Sequence, residues 1–392
     1  MKVAVIGAGA SGLVAAYQAS KKHEVVVFEG NSNAGKKLLL TGSGRCNIGN
    51  VNNDLEKYHS SNNEYISNIV NDNNILLVRK MFDDIGLVIK NKNGYLYPYS
   101  EKSSSVLSVL KNACINNNVK FSFCTLIENV YKNDEGFVID NEIFDKVIVA
   151  TGGISYPKTG STGVGVKIAK SFGHSFTNLN PCLMPVLTNT SFEKDWVGIR
   201  CEADVSLYEN NMFLKKEHGE LQFTSYGLSG ICIFNLSRNI RYGLNESKLE
   251  ELRINFVPWC LNIKEYFESK SNMCVSLICD GFLDYKLTNI LLKYIKVDAN
   301  KKWGDLLNSE KEKICEALTG FKANVYDTKD FLDAQVTSGG ISLDEVNLGT
   351  MESKIVPNLC FAGEILDLDG DCGGYNLTIA FITGLLAGGL DD

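Results

Sequence analysis

Apolar residues near the start of the chain fall in short unbroken runs separated by a stretch of small-residue periodicity. Val3 to Ile6 is fully apolar, the pattern of a strand buried on both faces of a parallel sheet. Gly12, Ala15, Ala16 and Ala19 then recur at i, i+3, i+4 and i+7, one small-residue helix face that can lie close on that sheet. Val25 to Phe28 predicts a second buried strand, closed by Glu29, so the chain opens with a β-α-β unit. Asn31 to Asn63 is polar and glycine-rich, and an irregular stretch of that length in a compact domain points to function. Ser103 to Asn116 predicts a helix, and Asp145 to Ala150 another buried strand stopped by Thr151-Gly152-Gly153.

After Pro181 and Pro185 the pattern changes. Residues 187–258 alternate apolar and polar with frequent turn signals, which predicts antiparallel strands arranged as a barrel. Residues 259 to about 320 read as helices with lysine- and glutamate-rich faces. Parallel-type strands return at Ala334 to Ser338 and at Leu359 to Ala362, running into Gly339-Gly340 and Gly363-Glu364. A last helix follows from Tyr375. Its Asn376, Thr378 and Thr383 make it a buried helix rather than a membrane span. The expected plan is an α/β domain built from both chain ends, residues 1–186 and 331–392. Between them lie a barrel at 187–258, completed by about 320–330, and a small helical insert at 259–319.

Composition narrows the classes. At roughly 150 residues per domain, 392 residues allow two or three domains, and 44% hydrophobic with 22% charged residues excludes disorder as the main state. Thirty-nine basic against 46 acidic residues leave a net charge of −7, so no nucleic-acid or anionic-membrane partner is expected. Twelve scattered cysteines without a C-x-x-C pair, beside only four histidines, predict reduced thiols, no metal site and a cytoplasmic location. The amino terminus runs straight into a glycine motif, which leaves no room for a signal peptide.

Gly7-Ala8-Gly9-Ala10-Ser11-Gly12 is G-x-G-x-x-G between a strand and a helix. Gly7 permits the tight turn, Gly9 lets backbone approach a pyrophosphate, and Gly12 lets helix and strand pack closely. The helix start offers the phosphates unpaired N–H groups and a positive dipole end. Glu29 stands 22 residues after Gly7 (29 − 7), the spacing at which a carboxylate takes ribose hydroxyls, with Gly30 beside it. This defines dinucleotide binding and leaves NAD against FAD open. At the far end, Asp371-Cys372-Gly373-Gly374-Tyr375-Asn376 opens the last helix, whose buried face is Leu377, Ala380, Phe381, Gly384 and Leu385. A helix start of this kind suits the negative charge of a reduced flavin.

Gly35-Lys36-Lys37-Leu38-Leu39-Leu40-Thr41-Gly42-Ser43-Gly44-Arg45-Cys46-Asn47 resembles the signature of the YhiN/BaiN-like flavoproteins. These are described as NAD(P)/FAD-dependent oxidoreductases or aminoacetone-oxidase-family FAD-binding enzymes. Ala150-Thr151-Gly152-Gly153, Val336 to Ile341, and Phe361 to Glu364 with Gly373 to Leu377 are similar to further blocks of that family, in family order. The resemblance implies a non-covalent FAD in a Rossmann-type domain assembled from both termini, with an inserted β-barrel and a small helical domain capping the flavin. It implies that Glu29 holds the adenosine ribose and that Thr41 to Asn47 lies along the cofactor. Gly363 and Glu364 would meet the ribityl-pyrophosphate region, and Gly374, Tyr375, Asn376 and Leu377 the flavin ring, with Gly373 a further cofactor-binding candidate.

Weaker constellations have weaker readings. Lys36, Lys37 and Arg45 are candidates for offsetting phosphate or flavin charge. Cys46 and Cys372 read as small buried thiols rather than a redox pair. Asp367-Leu368-Asp369-Gly370-Asp371 fails as a calcium loop, with Cys372 and Thr378 where glycine and glutamate are needed. Gly160 to Gly165 follows a proline-containing loop and so is no second nicotinamide unit; Gly163 to Gly173 predicts a helix. His174 and His218 show no carboxylate or cysteine partner and receive no role. Candidate catalytic residues are Arg45, Tyr156 and Asn376. The expected activity is hydride transfer from NAD(P)H through flavin N5 to an unsaturated or carbonyl small molecule. Alternatives are an oxygen-dependent oxidase of aminoacetone-like amines, a tRNA-modifying flavoprotein, and a FAD-binding sensor or scaffold. The sequence leaves the oligomeric state open.

Overall fold

A computed structural model describes residues 1–189 and 193–389. The chain divides into two compact units, residues 1–181 with 335–392, and residues 182–334. It opens with β1 (Lys2–Ile6), α1 (Ala10–Ser20) and β2 (Glu24–Glu29). There follow α2 (Ser103–Asn116), β3 (Lys120–Phe123), β4 (Lys146–Val149) and α3 (Val164–Ser171). The second unit holds β5 (Val186–Thr188), β6 (Arg200–Glu209), β7 (Met212–Phe223), β8 (Gly227–Gly230), α4 (Ile231–Asn245), β9 (Glu250–Asn255) and β10 (Phe321–Thr328). The chain returns through β11 (Leu359–Phe361) and α5 (Tyr375–Gly388).

In the first unit a parallel sheet runs in the order β11-β4-β1-β2-β3, so its strands come from both ends of the chain. Val3, Ala4, Val5 and Val147, Ile148, Val149 are fully buried, as two-sided burial of β1 and β4 requires. The small face of α1 does more than lie on the sheet. Gly384 and Gly388 of α5 stand against Ser11, Val14, Ala15 and Gln18 of α1, and a Cβ at Gly384 would come within 3.1 Å of the Val14 side chain. Small residues on both helices let the backbones approach.

The second unit is a closed six-stranded barrel, β5-β8-β7-β6-β9-β10. Alternation sets its interior: Ala203, Val205 and Leu207 point inward from β6, Leu252 and Ile254 from β9, Phe321 and Ala323 from β10. Residues 187–258 are not all strand, however. Cys232, Ile233, Leu236 and Ile240 form the buried stripe of α4, a helix embedded among the strands. Short helices occupy most of residues 263–319. Glu250 is a polar exception inside the inward row of β9: it is 3% exposed, and neither carboxyl oxygen has a hydrogen-bond partner among the described residues. Burial, reinforced by the Glu209 charge and opposed by Lys248, pushes its carboxyl up to about 7.

Candidate functional site

The carboxyl ends of β1, β2, β4 and β11 converge on one edge of the sheet, where ligands of open α/β sheets bind. Gly7 has φ +104°, and a Cβ there would strike the Ala150 carbonyl. A Cβ on Gly12 would strike the Gly7 carbonyl and lie 3.3 Å from the Ala150 side chain. A Cβ on Gly9 would meet nothing within 4 Å. Gly9 is also the N-cap of α1, with no side-chain cap. Two of the three glycines thus serve packing, and the third keeps a helix start open.

Glu29 is fixed as β2 ends. Its carboxylate accepts from the Ala8 backbone at 2.9 Å and from both the backbone and the side-chain amide of Asn31 at 2.8 Å. Asn31, which sequence reasoning passed over, also donates to the Thr159 carbonyl at 3.1 Å, and Lys36 reaches its Oδ1 at 3.3 Å. The turn after Tyr156 therefore lies beside Glu29. Ser155, just before Tyr156, bonds to Thr337 and accepts from Lys37 Nζ at 3.4 Å, so the chain here runs between the Glu29 group and the Glu364 group. Tyr156 itself sits at φ +56° and accepts from Thr159.

Glu364 follows β11 and accepts from the Thr337 backbone at 2.8 Å and from Lys37 Nζ at 2.7 Å. Lys37 is thereby committed to Glu364, where it had been a candidate for phosphate or flavin charge. Thr337 Oγ1 gathers the N–H groups of Ile154 and Ser155 at 2.9 and 3.0 Å, binding the Thr151–Gly153 turn to the Val336–Ile341 segment. Gly363 packs directly on Ser11, whose hydroxyl donates to the Ala362 carbonyl at 3.3 Å. The family blocks, scattered along the sequence, meet here.

The Thr41–Asn47 loop is built from left-handed residues, with Gly42, Ser43, Gly44 and Cys46 at φ +55°, +55°, +82° and +59°. Arg45 is exposed; its Nε donates to the Gly42 carbonyl at 3.4 Å, and its guanidinium stands 5.7 Å from the Tyr97 ring centroid. Burial pushes the Cys46 thiol up to about 11, against a smaller downward pull from Thr41, which leaves it a poor redox partner. Cys372 is half-buried, where full burial had been expected. Asn376, a candidate catalytic residue, holds its own turn: its amide spans Gly370, accepting from that N–H at 2.9 Å and donating to that carbonyl at 2.7 Å. The Tyr375 ring is buried edge-on against Tyr58, with centroids 5.2 Å apart. Tyr375 and Asn376 open the first turn of α5, behind its N-cap Gly374.

His174 and His218 also need correction, since both have carboxylate partners. His174 is buried between Glu345 Oε2 at 3.0 Å and Ser353 Oγ at 2.8 Å, and burial lowers its pKa against the pull of Glu345. Ser353 Oγ accepts from the backbones of Ile355 and Val356, so this constellation is a structural brace. His218 bridges Asp204 and Glu202 across β6 and β7 at 2.8 and 2.9 Å, and the Asp204 bond raises its pKa. Among the described residues no cluster suits a metal ion, and no helix is long and apolar enough to cross a membrane.

The residues present fit a dinucleotide. Gly9 and Gly44 face open space, and two polar atoms of the candidate blocks, Asn47 Oδ1 and Thr151 Oγ1, are buried without a partner among the described residues. Fold and site together define a Rossmann-type dinucleotide-binding protein. The chain belongs to the family described as HI0933-like protein Rossmann domain, whose model matches residues 1–390. Among its relatives is the 3-dehydro-bile acid delta(4,6)-reductase of Clostridium scindens, 34% identical over 99% of this chain and 98% of that protein. Another is the ribosomal RNA dihydrouridine synthase of Escherichia coli, 25% identical over 96% of this chain and 94% of that one. The 3-ketosteroid-delta4-(5alpha)-dehydrogenase of Rhodococcus jostii RHA1, solved with 4-androstene-3,17-dione, has the same fold. Its TM-score is 0.51 at 13% identity, covering 98% of this chain and 95% of that one. The YhiN/BaiN-like resemblance and the α/β fold class with its barrel are borne out, and the protein is a flavin-dependent oxidoreductase.

Proposed function

We propose that the protein is a FAD-dependent reductase that takes a hydride from NAD(P)H and passes it to an unsaturated or carbonyl small molecule. The observation that carries this is the open, uncapped start of α1 at Gly9, joined to Glu29, in a chain related along its length to a named reductase. The N–H groups and dipole of α1 would hold the pyrophosphate, Glu29 the adenosine ribose, and Glu364, neutralised by Lys37, the ribityl side. Bound FAD supplies the hydride chemistry at N5. The chain's task is then orientation and electrostatics. Asn376 and Thr337 are positioning residues for the turns that would meet the cofactor, and Arg45 is the exposed cation of the flavin loop. With one Rossmann unit, donor and acceptor would visit one flavin face in turn.

Anaerobic mixing with NADH and NADPH, followed by a 3-oxo-unsaturated steroid, tests the assignment through flavin absorbance. Bleaching by a nicotinamide and recolouring by the steroid is the expected result. Bleaching by an aminoacetone-like amine alone would replace the reductase with an oxidase. Recolouring by uridine-containing ribosomal RNA, with the steroid inert, would favour the reading suggested by the dihydrouridine synthases; the net charge of −7 weighs against it. Arg45→Ala is expected to slow reduction roughly tenfold while FAD affinity changes less, checked by stopped-flow and by titration of apoprotein.

A further inference from the structure

We propose that His59, held on Asp371, is an electrostatic positioning residue of the flavin site, its protonation supplying a positive charge beside the turn that begins α5. This rests on placing the flavin ring at Gly374 to Leu377. Asp371 is 4% exposed and stands two residues before Gly373. Its carboxylate meets His59 Nε2 at 2.8 Å and Lys57 Nζ at 3.4 Å, and its backbone N–H donates to the Lys57 carbonyl at 2.9 Å. Asn50 braces the same turn at the Gly373 carbonyl, 3.2 Å away, and Asn376 braces it at Gly370. A change of charge on His59 therefore reaches the turn through a single buried carboxylate.

Among the described residues, the charged groups near His59 include Lys57 and Asp371, with Asp369 paired to it across the short strand and Asp367 bound to Ser60 and Ser61. Among these side chains imidazole is the type that changes charge between pH 5 and 8. A hydride carries two electrons and one proton, so a flavin held here would gain one negative charge on accepting it. A proton taken from solvent by His59 offsets that charge; neutral imidazole does not. No bond to His59 other than this N–H is made or broken, and the reductant is the nicotinamide.

The test is the midpoint potential of the holoprotein from pH 5.5 to 8.5, with the rate of reduction by NAD(P)H beside it. His59→Gln is expected to make the potential more negative at pH 6 and to converge with wild type at pH 8.5. Its reduction rate should fall roughly tenfold at pH 6, the size of effect one nearby unit charge has in a protein site. Asp371→Asn, which removes this carboxylate charge but keeps the shape, should change the pH dependence of the potential relative to wild type. Should His59→Gln release its flavin, Asp371→Asn carries the comparison. Potential–pH curves superimposable on wild type overturn the proposal, as does loss of flavin from both variants with an unchanged melting temperature. Wild-type protein that takes up no FAD would instead overturn the flavin assignment beneath it.

Discussion

Gly9 and Gly12 belong to one motif yet separate two consequences of adding a side chain. At Gly9 the backbone is extended, with φ −79° and ψ −168°, and a Cβ meets open space. Gly9→Val is expected to fold with a melting temperature within a few degrees of wild type while losing FAD, since the side chain would fill the path of the pyrophosphate. At Gly12 the same change drives atoms into the Gly7 carbonyl and the Ala150 side chain, so Gly12→Val should lower stability by several kcal/mol, of the order of severe overpacking. Flavin content and thermal melts on both variants check the contrast. A Gly9→Val protein that retains stoichiometric FAD would remove the pyrophosphate from this position.

At the scale of elements, the barrel carries one residue at odds with its pattern. Glu250 is held neutral well above the ordinary carboxylate range, so between about 4.5 and 7 the folded protein binds a proton that the unfolded chain has lost. Stability contributed at this site is therefore present at low pH and falls as pH rises through that window. Glu250→Gln should stabilise the barrel by roughly 1–3 kcal/mol at pH 8 and have little effect at pH 4.5, measured by denaturant unfolding at both pH values. An equal effect at the two pH values would remove the titration from the account. Strand β9 itself was legible by alternation, but Glu250 reads there as one more polar position. Helix α4 was lost for a related reason: its apolar stripe is helical in spacing but sits between strands whose alternation dominates the window. In the site, the glycine motif and Glu29 were legible because their spacing is local. The His59–Asp371 pair, Asn31 at Thr159 and Lys37 at Glu364 join residues up to 327 positions apart, and no local pattern announces them. The long polar stretch from Asn31 to Asn63 was the one sign that something there awaited partners.

For the whole molecule, the two compact units have their own hydrophobic cores. In the first unit the outgoing and returning segments already touch: the Thr177 backbone donates to Gly340 at 3.0 Å, and Phe176 bridges Ile341. Replacing residues 182–334 by a short glycine-rich linker is thus expected to leave a folded unit that binds FAD, with turnover of organic acceptors lost. Absorbance of the purified deletion variant and its circular dichroism decide this. A folded but flavin-free product would mean that the inserted unit contributes to holding the cofactor.

The strand order β11-β4-β1-β2-β3 also sets a schedule for the ribosome. Residues 182–334 contain everything their barrel needs, whereas the sheet that starts at Lys2 waits for β11, and α1 for α5, which end at Phe361 and Gly388. During synthesis the middle of the chain can therefore reach its final form before the first residues made have found their last neighbours. The nascent amino terminus must hold its apolar strands unfinished for the time it takes to translate more than three hundred further residues. A transcript cut short before β11 would yield a barrel attached to a sheet lacking its last strand and an α1 lacking its partner helix, a species suited to chaperones and proteases rather than to flavin.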